Sequence, residues 1–314
     1  MEPLPKEIEN QIQAKAIECG FELFGITKAE LPIEDKENLN TWIEKKLYGK
    51  MDWYPKNNDL RINLKNLGFT PKSVVVLGVM YQDREYEEVF IKKDYKISRY
   101  AIGSDYHKVL RNMAKPFLKF LKEKFPENSF RQGVDSLPVP EKIFAREAGI
   151  GWQGKNTNII NENLGSYFFI SVILTDLQLL ATSPATDRCG TCRACLDACP
   201  TGALFEPYKI DAGKCISHNT IEDRSDKMDL ESNQWVYGCD ICQEVCPWNR
   251  IKAKKRDVYT TRDEFKIREE FKVNTIDDFL NMTEEAFQKL VKDSAMDRIS
   301  YSMFQRNLKA VKEE

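Results

Sequence analysis

Cys189-Gly-Thr-Cys192-Arg-Ala-Cys195-Leu-Asp-Ala-Cys199-Pro200 and Cys239-Asp-Ile-Cys242-Gln-Glu-Val-Cys246-Pro247, with Cys215 between them, hold eight of the nine cysteines of the chain. The first block is the C-x2-C-x2-C-x3-C-P run of bacterial-type ferredoxins, whose fourth cysteine ligates the other cluster of a pair. Two-residue gaps let neighbouring thiolates converge on one cubane. The three-residue gap and the proline turn the last sulfur toward a second site. Crossing the sets in this way assigns Cys189, Cys192, Cys195 and Cys246 to one [4Fe–4S] cluster, and Cys199, Cys215, Cys239 and Cys242 to the other. The second block is one cysteine short of the run, and Cys215 supplies the missing thiolate. Zinc also takes paired C-x2-C ligands, but it does not call for a third cysteine at the same spacing or a proline after each terminal cysteine. Disulfides are the weaker reading, because no secretory signal opens the sequence and such pairs in a cytosolic protein are metal or redox sites.

At 314 residues the chain exceeds a bare two-cluster ferredoxin several-fold, and 42% apolar residues suffice for a substantial core. Length suggests two domains, so an activity beyond electron carriage is expected. A formal net charge of −2 predicts neither broad nucleic-acid affinity nor attraction to a membrane. The longest apolar run, Tyr167 to Leu174, is strand-sized and far short of a membrane span, so a cytoplasmic protein is expected.

Outward from the cysteines, local patterns predict the elements. Ile8, Ile12 and Ala16 put a helix over Lys6–Glu18, and a second is expected over Glu34–Leu47, with Gly49 to Pro55 as a loop leading to Arg61. Cys19 reads as a buried small hydrophobe. Ser73-Val-Val-Val-Leu-Gly-Val79 fits a central strand. A loop over Ser98–His107 precedes a helix over Tyr106–Lys124, which Pro116 should kink or divide. Phe130–Val134 is a short strand ending on Asp135, and Glu141–Ala148 a helix. Gly149–Thr157 is a glycine-rich loop, permitting either close approach to a bulky ligand or tight turns. Asn158–Ile160 and Ser166–Leu174 look like a hairpin. Thr283 and Ser300 can start two C-terminal helices. The expected fold is an α/β (α+β) sandwich joined to an α-helical, bacterial-ferredoxin-like module with a short helical tail. Its expected divisions are residues 1–180, 181–255 and 256–314. Arg250, Lys252, Lys254, Lys255 and Arg256 put five cations in seven residues, a solvated face or an RNA-phosphate contact.

A two-cluster module beside such a domain points to a redox enzyme that delivers electrons to a bound cofactor. No G-x-G-x-x-G follows a strand and no C-x3-C-x2-C is present, so neither a Rossmann site nor radical-SAM chemistry is supported.

Several further stretches, taken in order, resemble the cobalamin-dependent epoxyqueuosine reductases of tRNA modification. They are Gly20-Phe21 through Gly25-Ile26, Arg61, Tyr100-Ala101 with Asp105-Tyr106-His107, and Val134-Asp135-Ser136 through Pro138-Val139. Gly151 to Thr157, Cys215-Ile216-Ser217, Thr220-Ile221-Glu222 and Tyr237 to Asn249 complete the set. The resemblance implies base-off cobalamin, fed by the two clusters from an external donor. It also implies reduction of epoxyqueuosine to queuosine in a tRNA anticodon stem-loop. It makes Asp135 the acid that protonates the epoxide oxygen, with a pKa that burial must raise. Arg61, Ser98, Asp135, Lys155, Asn156, Thr157, Ser217 and Gln243 become the cofactor contacts, and the cations from Arg250 to Arg256 the phosphate contacts. Family members often have Tyr-Leu after Cys-Ile-Ser, where this chain has His218-Asn219, and many continue into a helical-repeat domain past the position of Glu314. A cobalamin-dependent reductive dehalogenase, which would usually carry an export signal, and a non-catalytic iron–sulfur electron-transfer subunit are the alternatives.

Overall fold

The computed structural model describes residues 6–64 and 68–314, the side chains of 252–254 excepted. The chain divides into two compact units, neither of them continuous in sequence. One comprises Met1–Lys46, Asp52–Met80 and His107–Thr191, and the other Leu47–Met51, Tyr81–Tyr106 and Cys192–Glu314.

The first unit is built on a four-stranded antiparallel sheet in the order Leu23–Lys28, Ser73–Met80, Phe168–Thr175, Phe130–Gly133. Every residue of Ser73–Met80 is buried, as its valine-rich, near-continuous apolar run predicts for a strand covered on both faces. On one face Val74, Val76, Val172 and Leu174 pack with Phe144, Ala145 and Ala148 at the Glu141–Glu147 helix. Lys6–Glu18 forms the expected helix and buries Ile12 and Ala16. The helix Tyr106–Lys124 is not divided by Pro116, because the stripe Leu110, Met113, Ala114, Phe117 and Leu121 is buried on both sides of it.

Several expectations are corrected. Leu23–Lys28 is a strand whose short, mixed sequence carries no alternation to reveal it. The second helix stops at Glu44, and the loop before Arg61 contains two helical turns, Trp53–Lys56 and Asn58–Ile62. The expected hairpin is re-paired: Ile159–Ile160 joins Trp152–Gln153, while Phe168–Thr175 enters the main sheet. Cys19 is half-buried rather than buried.

In the second unit, the residues expected to form a tail supply most of the core. Tyr86, Tyr95, Phe271, Phe279, Phe287 and Phe304 form an aromatic centre together with Ile221, Val236 and Tyr237 of the cysteine-bearing segment. Tyr95 and Phe279 meet edge-on at 5.4 Å, and Phe279 and Phe304 at 5.8 Å. Short helices over Glu269–Val273, Ile276–Leu280, Glu284–Val291 and Tyr301–Glu313 deliver these rings. Thr283 caps its helix as expected, and Ser300, expected only to begin the last one, caps it too, each accepting a backbone N–H at 3.2 Å. Residues 81–106, placed by sequence in the front domain, belong here, with Lys96–Ile97 pairing parallel to Trp235–Tyr237. The division into residues 1–180, 181–255 and 256–314 is therefore redrawn, since non-local side-chain packing rather than chain order decides it.

Candidate functional site

All nine cysteines are free thiols. Three very short helices carry or follow the cysteines of the second unit: Ala194–Asp197, Ile216–Ile221 and Ile241–Glu244. Burial pushes the Cys239 and Cys242 thiols well above their ordinary value, and neighbouring thiols add to it. Cys242 and Cys215 act on Cys239, while Cys215, Cys195 and Cys199 act on Cys242. Thiols from the segments 195–199, 215 and 239–242 thus converge on one place. Such buried thiols release their protons only to a strongly positive partner, so the donor set suits a metal cluster. Among the described residues no three of His, Cys, Asp and Glu stand together as ligands of a single ion. A cube of iron and sulfide holds its thiolates further apart than one ion does.

Helices this short need outside support, and the last helix supplies it through two buried polar residues that no sequence motif singled out. Asn307 Nδ2 donates to the carbonyls of Thr220 and Val236, each at 2.9 Å. One amide thereby ties the helix after Cys215 to the strand before Cys239. Arg306 donates to the carbonyls of Asn219 at 2.8 Å and of Asp223 and Ser225 at 2.7 Å. His218 and Asn219, the departures from the family pattern, also hold this segment. Asn219 Nδ2 donates to Gly213 and Cys215 carbonyls at 2.9 and 3.0 Å. His218 Nε2 accepts the Lys50 N–H at 2.9 Å, and a Cβ on Gly49 would stand 2.6 Å from that nitrogen, so only glycine fits.

In the first unit, Asp135 follows the edge strand and adopts the left-handed φ of 53°. Its N–H donates to Glu141 Oε1 at 2.8 Å, closing the loop at its base. Its carboxyl is 68% exposed, with Oδ2 3.6 Å from His107 Nε2. Arg111 Nη2 donates to the next residue, Ser136, at 3.0 Å. Asp135 is therefore exposed where burial was expected, and the carboxyl beneath it, Glu141, is half-buried. Burial and then the Asp135 carboxylate push the Glu141 carboxyl up to about 8, against the opposing pull of the Asp135 N–H. The arrangement is a reachable acid on an anchored turn, beside a second carboxyl that keeps its proton at neutral pH.

The other expected cofactor contacts are mostly engaged within their own units. Arg61 is buried, donates to the Tyr54 carbonyl at 2.5 Å, and lies 3.7 Å over the Tyr54 ring. Ser98 Oγ and Gln243 Nε2 both donate to Asp240 Oδ1, at 2.6 and 3.1 Å. Asp240 is buried beside Cys239 and is also bound by the Arg99 guanidinium at 3.3 Å. Lys155 Nζ donates to the Gly190 carbonyl at 2.5 Å, and Asn156 Oδ1 accepts the Asn158 N–H at 3.2 Å. Thr157 and Ser217 remain half-buried. The glycine-rich loop serves its own turns, since a Cβ on Gly151 would stand 2.3 Å from the Ile160 carbonyl oxygen. Arg250, Lys255 and Arg256 are exposed, while the side chains of Lys252 and Lys254 lie outside the described residues. Among the described residues no helix is long and apolar enough to cross a membrane.

Two family models match the chain. "Epoxyqueuosine reductase QueG, DUF1730" covers residues 61–136, which include Asp135, and "4Fe-4S double cluster binding domain" covers 188–249. The epoxyqueuosine reductase of Leadbetterella byssophila is 39% identical, spanning 98% of this chain and 99% of that protein. A crystal structure of epoxyqueuosine reductase with a tRNA-Tyr epoxyqueuosine-modified tRNA stem loop matches with a TM-score of 0.82 at 27% identity, over 98% of this chain and 81% of that one. The Bacillus subtilis epoxyqueuosine reductase, with a catalytic aspartate loop swung out of the active site, matches with a TM-score of 0.83 at 26% identity, over the same shares. A relative of this identity over nearly the whole of both chains, with both family models in their places, shows that the chain belongs to the epoxyqueuosine reductase family.

Proposed function

We propose that the protein reduces epoxyqueuosine to queuosine in the anticodon stem-loop of a tRNA, in the cytoplasm, with two [4Fe–4S] clusters passing electrons from an external donor to cobalamin bound base-off. The observation that carries the reading is the convergence of half-buried thiols from three segments of one family-matched module. We assign Cys199, Cys215, Cys239 and Cys242 to one cluster, and Cys189, Cys192, Cys195 and Cys246 to the other, on the crossed spacing.

Removing the epoxide oxygen as water consumes two electrons and two protons. Cobalamin, when bound, supplies the reducing chemistry at the substrate carbon. Asp135 donates a proton to the epoxide oxygen as the ring opens, from a carboxyl that is exposed to substrate and fixed by its own backbone. His107, whose Nε2 lies 3.6 Å from the same carboxyl, helps to orient it. Thr157 and Ser217, whose side chains are still partly open, are the residues we assign to the corrin. Arg61, Ser98, Lys155, Asn156 and Gln243 act behind them, holding Tyr54, the Gly190 turn, the glycine-rich loop and Asp240. The cations from Arg250 to Arg256 meet tRNA phosphates, which position the substrate without reading its bases.

Asp135→Asn tests the acid. The variant keeps its size and backbone bonds, so it should fold and retain iron and cobalamin. Its single-turnover rate with pre-reduced cobalamin should fall by about 10²–10⁴, the range for losing a general acid. Near-normal turnover would remove Asp135 from the mechanism.

A further inference from the structure

We propose that Glu141 is a positioning residue for Asp135, a latch that holds the acid-bearing loop in place by accepting the Asp135 N–H. The inference rests on the reading of Asp135 as the proton donor.

The loop runs from the end of the edge strand to the start of the Glu141–Glu147 helix, and both ends are anchored in the packed sheet layer. Between them, Asp135 takes a left-handed conformation, which Asp adopts more readily than most residues with a Cβ. Inside the loop, Val139 N–H donates to the Leu137 carbonyl at 2.8 Å and Glu141 N–H to the Val139 carbonyl at 3.0 Å. Those bonds shape its second half. Arg111 holds the next side chain, Ser136, at 3.0 Å, and the Asp135 backbone itself is held by the 2.8 Å bond from its N–H to Glu141 Oε1.

A half-buried carboxyl facing another carboxyl six residues away is unfavourable unless something opposes the cost. The N–H of Asp135 does so directly. Because Glu141 holds its proton well above the ordinary carboxyl range, it offers a carbonyl-type acceptor without placing a second full charge beside Asp135. Swinging the loop outward would require this bond to break. Glu141 thus sets the fraction of time that Asp135 faces the substrate.

Three variants test the latch, read by turnover and by amide hydrogen exchange. Glu141→Ala removes the acceptor, and Glu141→Asp shortens it by one methylene while keeping the acid. Glu141→Gln retains a carbonyl oxygen at the same reach. The first two should lower kcat by on the order of 10²-fold, as a small misplacement of a reacting group does, while KM for the epoxyqueuosine stem-loop stays put. They should also speed exchange in the peptide 134–141, whose proline positions 138 and 140 leave Asp135, Ser136, Leu137 and Val139 as the reporting loop amides. Glu141→Gln should recover most of both readouts. The double variant Asp135→Asn/Glu141→Ala should turn over no more slowly than Asp135→Asn alone, because the latch acts only through the acid.

Wild-type exchange in Glu141→Ala and Glu141→Asp would overturn the latch. So would a Gln variant as impaired as the Ala variant, or additive losses in the double variant. If Asp135→Asn alone kept full turnover, the acid reading would fail, while the exchange measurements would still judge the latch. Should Glu141→Ala not fold, Glu141→Asp and Glu141→Gln carry the comparison.

Discussion

The two units build a firm site in opposite ways. In the sheet-bearing unit, two eight-residue strands lie in register over their whole length, and Asp135 follows the four-residue edge strand paired to one of them. Local pattern and global fold agree there, and one hydrogen bond at the loop base finishes the job. In the cysteine-bearing unit, ligand segments are helices of four to six residues, too short to persist alone. Their order comes from a distant helix that touches them through buried polar side chains, and from an aromatic core drawn from both ends of the unit. The lesson is that the acid depends on a nearby latch, whereas the cysteine segments depend on residues 71 to 87 positions away.

The sharpest way to break this contrast is at the cysteines. Cys246→Ser should abolish multiple turnover and lose about half of the iron, because each crossed set holds one of two clusters. The lost signal should belong to the cluster of Cys189, Cys192 and Cys195, and the surviving one to that of Cys239. Iron analysis with electron paramagnetic resonance reads both, and loss of the Cys239 cluster alone would undo the crossed assignment.

Smaller and more telling is a pair of core changes of similar cost. Asn307→Leu leaves the carbonyls of Thr220 and Val236 without their donor, a loss of about 1–3 kcal/mol each. Leu174→Ala in the sheet costs about 2–5 kcal/mol. Only the first should lower iron retention under mild chelation, since only Asn307 clamps two ligand-bearing segments. Equal retention in the two variants would mean that the clusters do not rely on the last helix.

A weaker effect is expected at the basic run. Replacing Lys252, Lys254 and Lys255 with Ala should weaken stem-loop binding and reduce its salt slope by up to about 0.9 for each phosphate that is no longer neutralised. Unchanged affinity and slope would leave the run as a solvated face.

The smallest effect concerns pH. Glu141 titrates near 8 when folded and near 4.5 when unfolded, so between these values the folded state binds the extra proton. Stability from this group is therefore full below pH 4.5 and is lost as pH rises through about 8. Glu141→Gln cannot titrate, so its Tm should gain on the wild type by a few degrees across that window, a modest shift because the carboxyl is only half-buried. A Tm difference flat in pH would show that Glu141 carries an ordinary carboxyl.

By itself the sequence determined what depends on neighbours along the chain. The C-x2-C-x2-C-x3-C-P spacing, the β-branched run at Ser73, the apolar stripe of Lys6–Glu18 and the caps at Thr283 and Ser300 all follow from covalent geometry and local propensity. Only the tertiary structure decided what depends on residues far apart in the chain. It paired Ile159–Ile160 with Trp152–Gln153, drew residues 81–106 and 256–314 into the core of the cysteine unit, and set Ser98 and Gln243 on Asp240. It also left Asp135 exposed with Glu141 half-buried beneath it, and set Asn307 between two ligand segments. Each of these is a choice of partner for a polar group or an apolar face, and such a choice has no period or spacing to betray it. Many polar residues could satisfy a given carbonyl, and only the packed chain selects the one that does.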